Sequence, residues 1–551
     1  MINYFILALI YLFVFLVGRG SYLAYIQIKN KNANLVNERD NVFCLPLFSF
    51  YPIIGLFVIG NITIIINFFA PIKTGVNLII YVILIFLNFS KNTLFKLNFP
   101  EYFLIFITLP ILSMSSYNTG LAYDAGLYHL NFQNWIREEK IVIGISNLYP
   151  RFGYSSIYDY INSNFWFNDN FVYLHYINLI FISFFFIGLH YIFINSNFLK
   201  VKIGVISILL YGILDNFGYL GGKNGFIEIE SITKFDTPFG ILFFLTILFT
   251  SFVYSNKSIN FNEQLIILIF AIFSFQLRIT GILLIFPLCY ILFLNKFEAL
   301  KKNLFLVYLS ILFFIKNLIS TGCIYFPIEI TCSKNLFWYE KGFANLEQET
   351  ISNGLIAFSR DTSLFEWYQL WSGRFPFNYS TLLNFIYSFL FINLIVLLSV
   401  KKNRIRSLDI YYFIFNLFLL FFWLVSAPNF RFGIGIFISI IYFGIFNNVK
   451  ELKFKLILNE KIFLILLTSC IILLPRVENY KKFVNNPFEM TEINVPIVEY
   501  QNKLNGYGVS PLDGSEICMI NKFCSPEYIY FSNLKQYKFG YKFFELSNFV
   551  D

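Results

Sequence analysis

The sequence predicts an all-α, polytopic integral membrane protein of about fourteen transmembrane helices, and three observations carry that expectation. Of 551 residues, 57% are hydrophobic and only 13% charged, against roughly 25% charged in soluble domains. Apolar stretches near the ~20 residues needed to cross ~30 Å of hydrocarbon recur from end to end. Lys and Arg gather in alternate connections, as they do on the cytoplasmic side of a membrane.

Taken in order, the apolar segments fall at about 2–18, 45–69, 76–90, 101–115, 171–195, 202–220, 238–255 and 263–276. A second series follows at about 280–295, 303–319, 381–400, 409–427, 431–448 and 461–475. The first is read as a retained helix, because no basic stretch precedes it and no small-residue cleavage site follows it. Only Arg278, Ile279, Thr280 and Gly281 divide the eighth from the ninth, and a single long helix there would invert everything downstream. Alternate connections hold Arg19, Lys29, Lys31 and Arg39, then Lys91 and Lys96, Lys200 and Lys202, and Lys257. The same side continues with Lys296, Lys301 and Lys302, with Lys401, Lys402, Arg404 and Arg406, and with Lys450, Lys453, Lys455 and Lys461. The opposite connections hold little more than Lys73, Lys223, Lys234, Arg278 and Arg431. That asymmetry places both termini outside.

Three outer segments exceed a simple connection: about 116–170, about 320–380, and the tail. Long loops are commonly functional. The chain is therefore expected to divide into a transmembrane domain, 1–475, and a small extracytoplasmic tail, 476–551, that packs on it. Cys323 and Cys332 share one outer loop and Cys518 and Cys524 share the tail, which makes them disulfide candidates in an oxidising exterior. The net charge of +9 is dispersed through short loops, so no nucleic-acid partner is implied. Abundant Phe and Tyr fit a nucleotide-composition bias and mark no ligand site by themselves.

The first outer segment carries Tyr123-Asp124-Ala125-Gly126-Leu127-Tyr128-His129. Apolar residues then recur at helical spacing to Ile136, as in a helix lying in the membrane interface. Asp124 precedes that helix, where a carboxylate either caps free N–H groups or serves as general base or metal ligand for transfer onto a hydroxyl. His129, Asn147 and Arg151 follow as candidate substrate-binding residues. Arg278 and Arg431 are further cations suited to a phosphate leaving group, since Arg offers two parallel hydrogen bonds. Asp236-Thr237-Pro238 reads as an ordinary helix start. Glu228 and Glu230 are candidates for binding a divalent cation as cofactor; no strong metal motif, nucleotide-binding loop or nucleophile elbow is present.

The runs Tyr123–His129, Gly144–Leu148 and Arg151–Ser155, with Ala427–Gly433, resemble motifs of uncharacterised polytopic bacterial proteins associated with surface polysaccharide gene clusters. More distantly, an acidic residue in the first large outer loop followed by a juxtamembrane helix is similar to the GT-C glycosyltransferases. That resemblance implies a GT-C-like fold in the bacterial inner membrane, a polyprenyl-phosphate-linked sugar donor, a glycan acceptor, and Asp124 as the catalytic residue. Four apolar segments precede the acidic loop here, where that family usually has one. Two alternatives stay open: a polysaccharide polymerase or ligase that relies on Arg and His, and a lipid-linked oligosaccharide flippase or other transporter.

Overall fold

The computed structural model describes residues 1–29, 41–89, 99–154, 156–216, 231–256, 259–294, 298–339, 342–358, 363–399, 407–444, 465, 468–470, 477–502, 509–512, 518–524, 532–536 and 540–546. The first half contains α1 (Ile2–Lys29), α2 (Tyr51–Asn67), α3 (Val76–Phe86), α4 (Phe99–Ser113), α5 (Leu130–Glu138), α6 (Ile157–Asn162), α7 (Val172–Asn195) and α8 (Leu199–Asn216). It continues with α9 (Asp236–Asn256), α10 (Phe261–Leu277), α11 (Ile285–Leu294), α12 (Glu298–Lys302) and α13 (Leu304–Thr321). Then come α14 (Phe343–Gly354), α15 (Leu364–Arg374), α16 (Pro376–Ser399), α17 (Ser407–Ser426), α18 (Ile434–Phe443) and α19 (Val477–Asn485).

This is a helical membrane protein. Among the described residues, six helices are long and apolar enough to cross a bilayer: Ile2–Lys29, Leu47–Asn67, Val172–Asn195, Asp236–Ser255, Leu304–Thr321 and Asn378–Val396. The second, third and fourth are almost wholly buried and form the centre, whereas the last two expose most of their apolar surface, as lipid-facing helices do. The shorter apolar helices include Val76–Phe86, Phe261–Leu277, Ile279–Cys289, Ile410–Ser426 and Phe430–Phe443. The expected segment at about 461–475 lies almost entirely outside the described residues, as do Glu228, Glu230 and most of the basic connections.

Two local outcomes differ from, or settle, the sequence reading. Arg19 is not in a connection: α1 runs to Lys29, and Arg19 is buried in it, donating to Asn88 Oδ1 at 3.1 Å. At Arg278 the chain leaves α10 in an extended conformation (φ −150°, ψ 137°) and turns back through a 3-10 segment, Ile279–Leu284. The reversal brings Gly281 against the Ser274–Phe275 backbone, where a Cβ would lie 2.6 Å from main-chain atoms, so only Gly fits. The two apolar segments are therefore separate elements.

One end of the bundle gathers the three long segments into a single layer. Asn147 Nδ2 donates to Trp338 O at 2.8 Å and to Phe544 O at 2.9 Å, which ties the first segment to the second and to the tail. Trp135 Nε1 donates to Lys522 O, and the Lys522 ammonium sits 2.7 Å from Glu138 and 3.0 Å from Glu139. Cys323 bonds to Cys332 and Cys518 to Cys524. Expected as an interfacial helix, α5 is instead enclosed: Phe132, Trp135 and Ile136 are buried because the tail covers the side that a bilayer would otherwise meet.

Candidate functional site

Two short strands start the site. Strand β1 (Gly120–Leu121) pairs in parallel with β2 (Ser231–Ile232), Gly120 opposite Ser231 and Leu121 opposite Ile232. Three residues after β1 the chain reaches Asp124; four after β2 it reaches Asp236 at the start of α9. This pairing delivers two carboxylates, 112 positions apart in sequence, to neighbouring places. Asp124 opens a π-helical turn, Ala125–His129, yet its side chain makes no capping hydrogen bond. Such turns are often found at functional sites.

The carboxylate points instead to Arg431, whose Nη1 donates to Asp124 Oδ2 at 2.8 Å across 307 residues of sequence. Arg431 Nε lies 3.8 Å from Asp236 Oδ2, and Arg278 Nη1 donates to Asp236 Oδ1 at 2.8 Å. The result is an unbroken chain, Asp124–Arg431–Asp236–Arg278, with side chains 16%, 29%, 10% and 19% exposed respectively. It is therefore sheltered but reachable. Phe432 braces both cations, its ring centre 3.7 Å from the Arg278 guanidinium and 4.8 Å from that of Arg431.

The turn bearing Arg431 is held from three sides. Asn429 Oδ1 accepts from the Arg431 N–H, Trp423 Nε1 donates to Asn429 O at 2.8 Å, and Trp371 Nε1 donates to Pro428 O at 2.8 Å. Behind it, Gly435 on α18 touches the Gly240 carbonyl on α9, where a Cβ would come within 2.8 Å. That close approach sets Arg431 against Asp236. A small cavity of about 40 Å³ opens beside Arg278, with Phe239, Phe243, Trp423, Phe432 and Ile436 among its walls.

A second layer sits under the first. His129 is buried, with Nδ1 2.9 Å from Asp159 Oδ1; Gln133 Nε2 donates to the same oxygen, and Trp166 Nε1 donates to Gln133 Oε1. Asp159 also closes the capping box of α6 with Ser156. Burial disfavours charge on His129, but Asp159, with Asp124 and Asp236 beyond it, outweighs burial and raises the imidazole pKa. Burial likewise opposes ionisation of Asp124; Arg431 and His129 overcome it and hold this carboxyl below its ordinary value. Lys316, on α13, is also fully buried, its ammonium 4.4 Å from the Phe313 ring centre and within electrostatic reach of Asp159.

The family described as a domain of unknown function (DUF8201) matches residues 1–438. The chain belongs to this family. No curated protein and no solved structure matches the chain.

All four members of the charge chain lie inside the DUF8201 match, while the tail falls beyond it. Of the residues singled out in sequence, the structure joins Asp124, Arg278 and Arg431 through Asp236. Asn147 is a buried tie between loops, His129 is turned to Asp159, and Arg151 lies in the turn Pro150–Tyr154, within electrostatic reach of the Tyr128 and Tyr154 hydroxyls. Sequence reasoning missed Asp236 as a partner, taking it for a helix start; Asp159 and Lys316 were also missed. The available signal was an ionisable residue in or beside an apolar helix, which is costly unless paired or functional. Among the described residues no cluster of three His, Cys, Asp or Glu has a metal-binding arrangement.

Proposed function

We propose that the protein is a membrane glycosyltransferase of cell-envelope glycan assembly, with fourteen crossings in a GT-C-like arrangement. It transfers a sugar from a polyprenyl-phosphate donor to a glycan acceptor at the outer face of the bacterial inner membrane. The observation that carries this reading is the partly exposed Asp124–Arg431–Asp236–Arg278 chain, which sets a carboxylate base beside two guanidinium groups at one end of a helical bundle.

In the proposed reaction the acceptor hydroxyl oxygen bonds to the anomeric carbon while the bond from that carbon to the phosphate oxygen breaks. The electron pair leaves with the phosphate and the hydroxyl proton passes to Asp124. Arg431 and Arg278 hold the departing phosphate, for which the guanidinium fork is suited. Arg151 is the third cation of the proposal. Paired with Arg431, Asp124 is a weak base. Moving Arg431 onto the phosphate removes that pull, so the base strengthens when donor is bound.

The test is a chromosomal replacement of Asp124→Asn and, separately, Arg431→Ala, with envelope glycan and lipid-linked intermediates measured. Both variants should lose product and accumulate donor. Intact glycan with Asp124→Asn and loss with Arg431→Ala would reject the carboxylate base and favour the polymerase or ligase reading. A transporter reading is favoured by one observation, the buried Lys316 near Asp159 in the bundle, since intramembrane ionisable groups mark ion pathways. It expects Lys316→Met to abolish activity and Asp124→Asn to be tolerated.

A further inference from the structure

The second long segment carries α15, whose sequence Leu364-Phe365-Glu366-Trp367-Tyr368-Gln369-Leu370-Trp371 is amphipathic in an unusual way. At 3.6 residues per turn, Trp367, Trp371, Leu364, Tyr368 and Phe365 lie within an arc of about 160° that also holds Ser372, while exposed Leu370 stands outside it, next to Glu366. Glu366 and Gln369 occupy the opposite side. Half of the apolar arc is spent on the protein. Trp367 and Trp371 are buried and stacked, with ring centres 5.6 Å apart; Trp367 Nε1 donates to Ile356 O, and Trp371 Nε1 to Pro428 O. The other half faces outward: Leu364 is 63% and Phe365 68% exposed, and Tyr368 is open beside them.

Phe375 alone separates α15 from α16. A span-length stretch of α16, Asn378–Val396, exposes Tyr387, Leu390, Phe391 and Leu394 as a lipid-facing row. A helix joined to the end of a membrane span by one residue cannot stand far above the bilayer. The open flank of α15 therefore lies near the end of that span, at the depth where Trp and Tyr are favoured.

We infer that α15 is seated in the interfacial layer of the bilayer, with Leu364, Phe365 and Tyr368 in lipid and Glu366 and Gln369 toward water. Because Trp371 on the same helix holds Pro428, three residues before Arg431, the helix fixes the charge chain at the membrane surface. This inference is independent of the proposed reaction: a transporter or a transferase would be positioned alike.

The experiment uses the full chain in liposomes, with the free cysteines Cys44, Cys289 and Cys470 replaced by Ala and both disulfides kept. Nitroxide labels are placed at Phe365→Cys and, as a second reporter, at Tyr368→Cys. Phe391→Cys on α16 is the lipid reference and Glu349→Cys on α14 the water reference. Collision with oxygen should exceed collision with a water-soluble nickel complex at both α15 positions, several-fold relative to the Glu349 site. Accessibility equal to that of the Glu349 site would overturn the inference. Spin–spin broadening at both positions would assign the face to a second copy of the chain, and would overturn it as well.

Discussion

Asp236 holds two arginines at once, which makes Asp236→Asn the most informative single change. The carboxylate is 10% exposed, 2.8 Å from Arg278 and 3.8 Å from Arg431. A pair of unit charges about 4 Å apart gains roughly 4 kcal/mol at an effective dielectric constant of about 20, before the cost of removing both groups from water. Breaking a fully buried pair costs about 3–5 kcal/mol, because the remaining ion is stranded. Here neither arginine side chain is fully buried, at 19% and 29% exposed, and Asp124 retains Arg431, so the expected loss is about 2–3 kcal/mol. Unfolding of purified protein by sodium dodecyl sulfate in mixed micelles measures it. In a cycle with Arg278→Gln, the double variant should lose less than the sum of the singles by about 1–2 kcal/mol. Additivity within about 0.5 kcal/mol would show that the two side chains do not interact, and would refute the charge chain as a unit.

The other expectations concern individual parts of the layer. Asp124→Asn should cost less stability than Asp236→Asn, because Arg431 keeps Asp236; on the proposed mechanism it should lower transfer by about 10²–10⁴-fold, with donor turnover as the readout. His129 has a raised pKa, so its pairing with Asp159 stabilises fully below the unfolded value of about 6.5 and fades as pH rises through the folded value. The wild type should therefore lose stability on the alkaline side, and Asp159→Asn should flatten that slope in the same denaturation assay. Lys522→Ala removes ionic contacts of 2.7 and 3.0 Å to Glu138 and Glu139. With Glu138 half-exposed the cost is only about 1 kcal/mol, but limited proteolysis should cut the tail sooner.

What the sequence made legible follows from the range of each interaction. Apolar spacing is local, so the helical, membrane-spanning character of the chain was readable from composition, whereas the break at Arg278 was left open and is decided by the reversal that brings Gly281 against Ser274 and Phe275. The pairing of Asp236 with Arg278 was in principle readable too. The two residues stand at the open ends of α9 and α10, consecutive antiparallel helices of similar length, so antiparallel packing places them side by side. Asp-Thr-Pro drew attention to a helix start instead. The enclosure of α5 was not readable, because its apolar periodicity is the same whether lipid or a distant tail covers it. Nor was Asn147, whose two acceptors come from segments 191 and 397 residues away.

The charge chain also constrains what can enter. Within the chain itself, two carboxylates balance two guanidinium groups. An anion that binds a guanidinium competes with the carboxylate already there, and the two carboxylates differ in how readily they yield. Asp236 is held from both sides, by Arg278 at 2.8 Å and by Arg431 at 3.8 Å, whereas Asp124 is paired with Arg431 at 2.8 Å and is the more exposed of the two. Exchange should therefore begin at Arg431 and release Asp124, leaving Asp236–Arg278 as the fixed half. A group released in this way becomes more basic at the moment an anion arrives. That coupling depends on Arg431 being shared, and Arg431→Lys, with a point charge in place of a fork, should weaken it even though the net charge is unchanged.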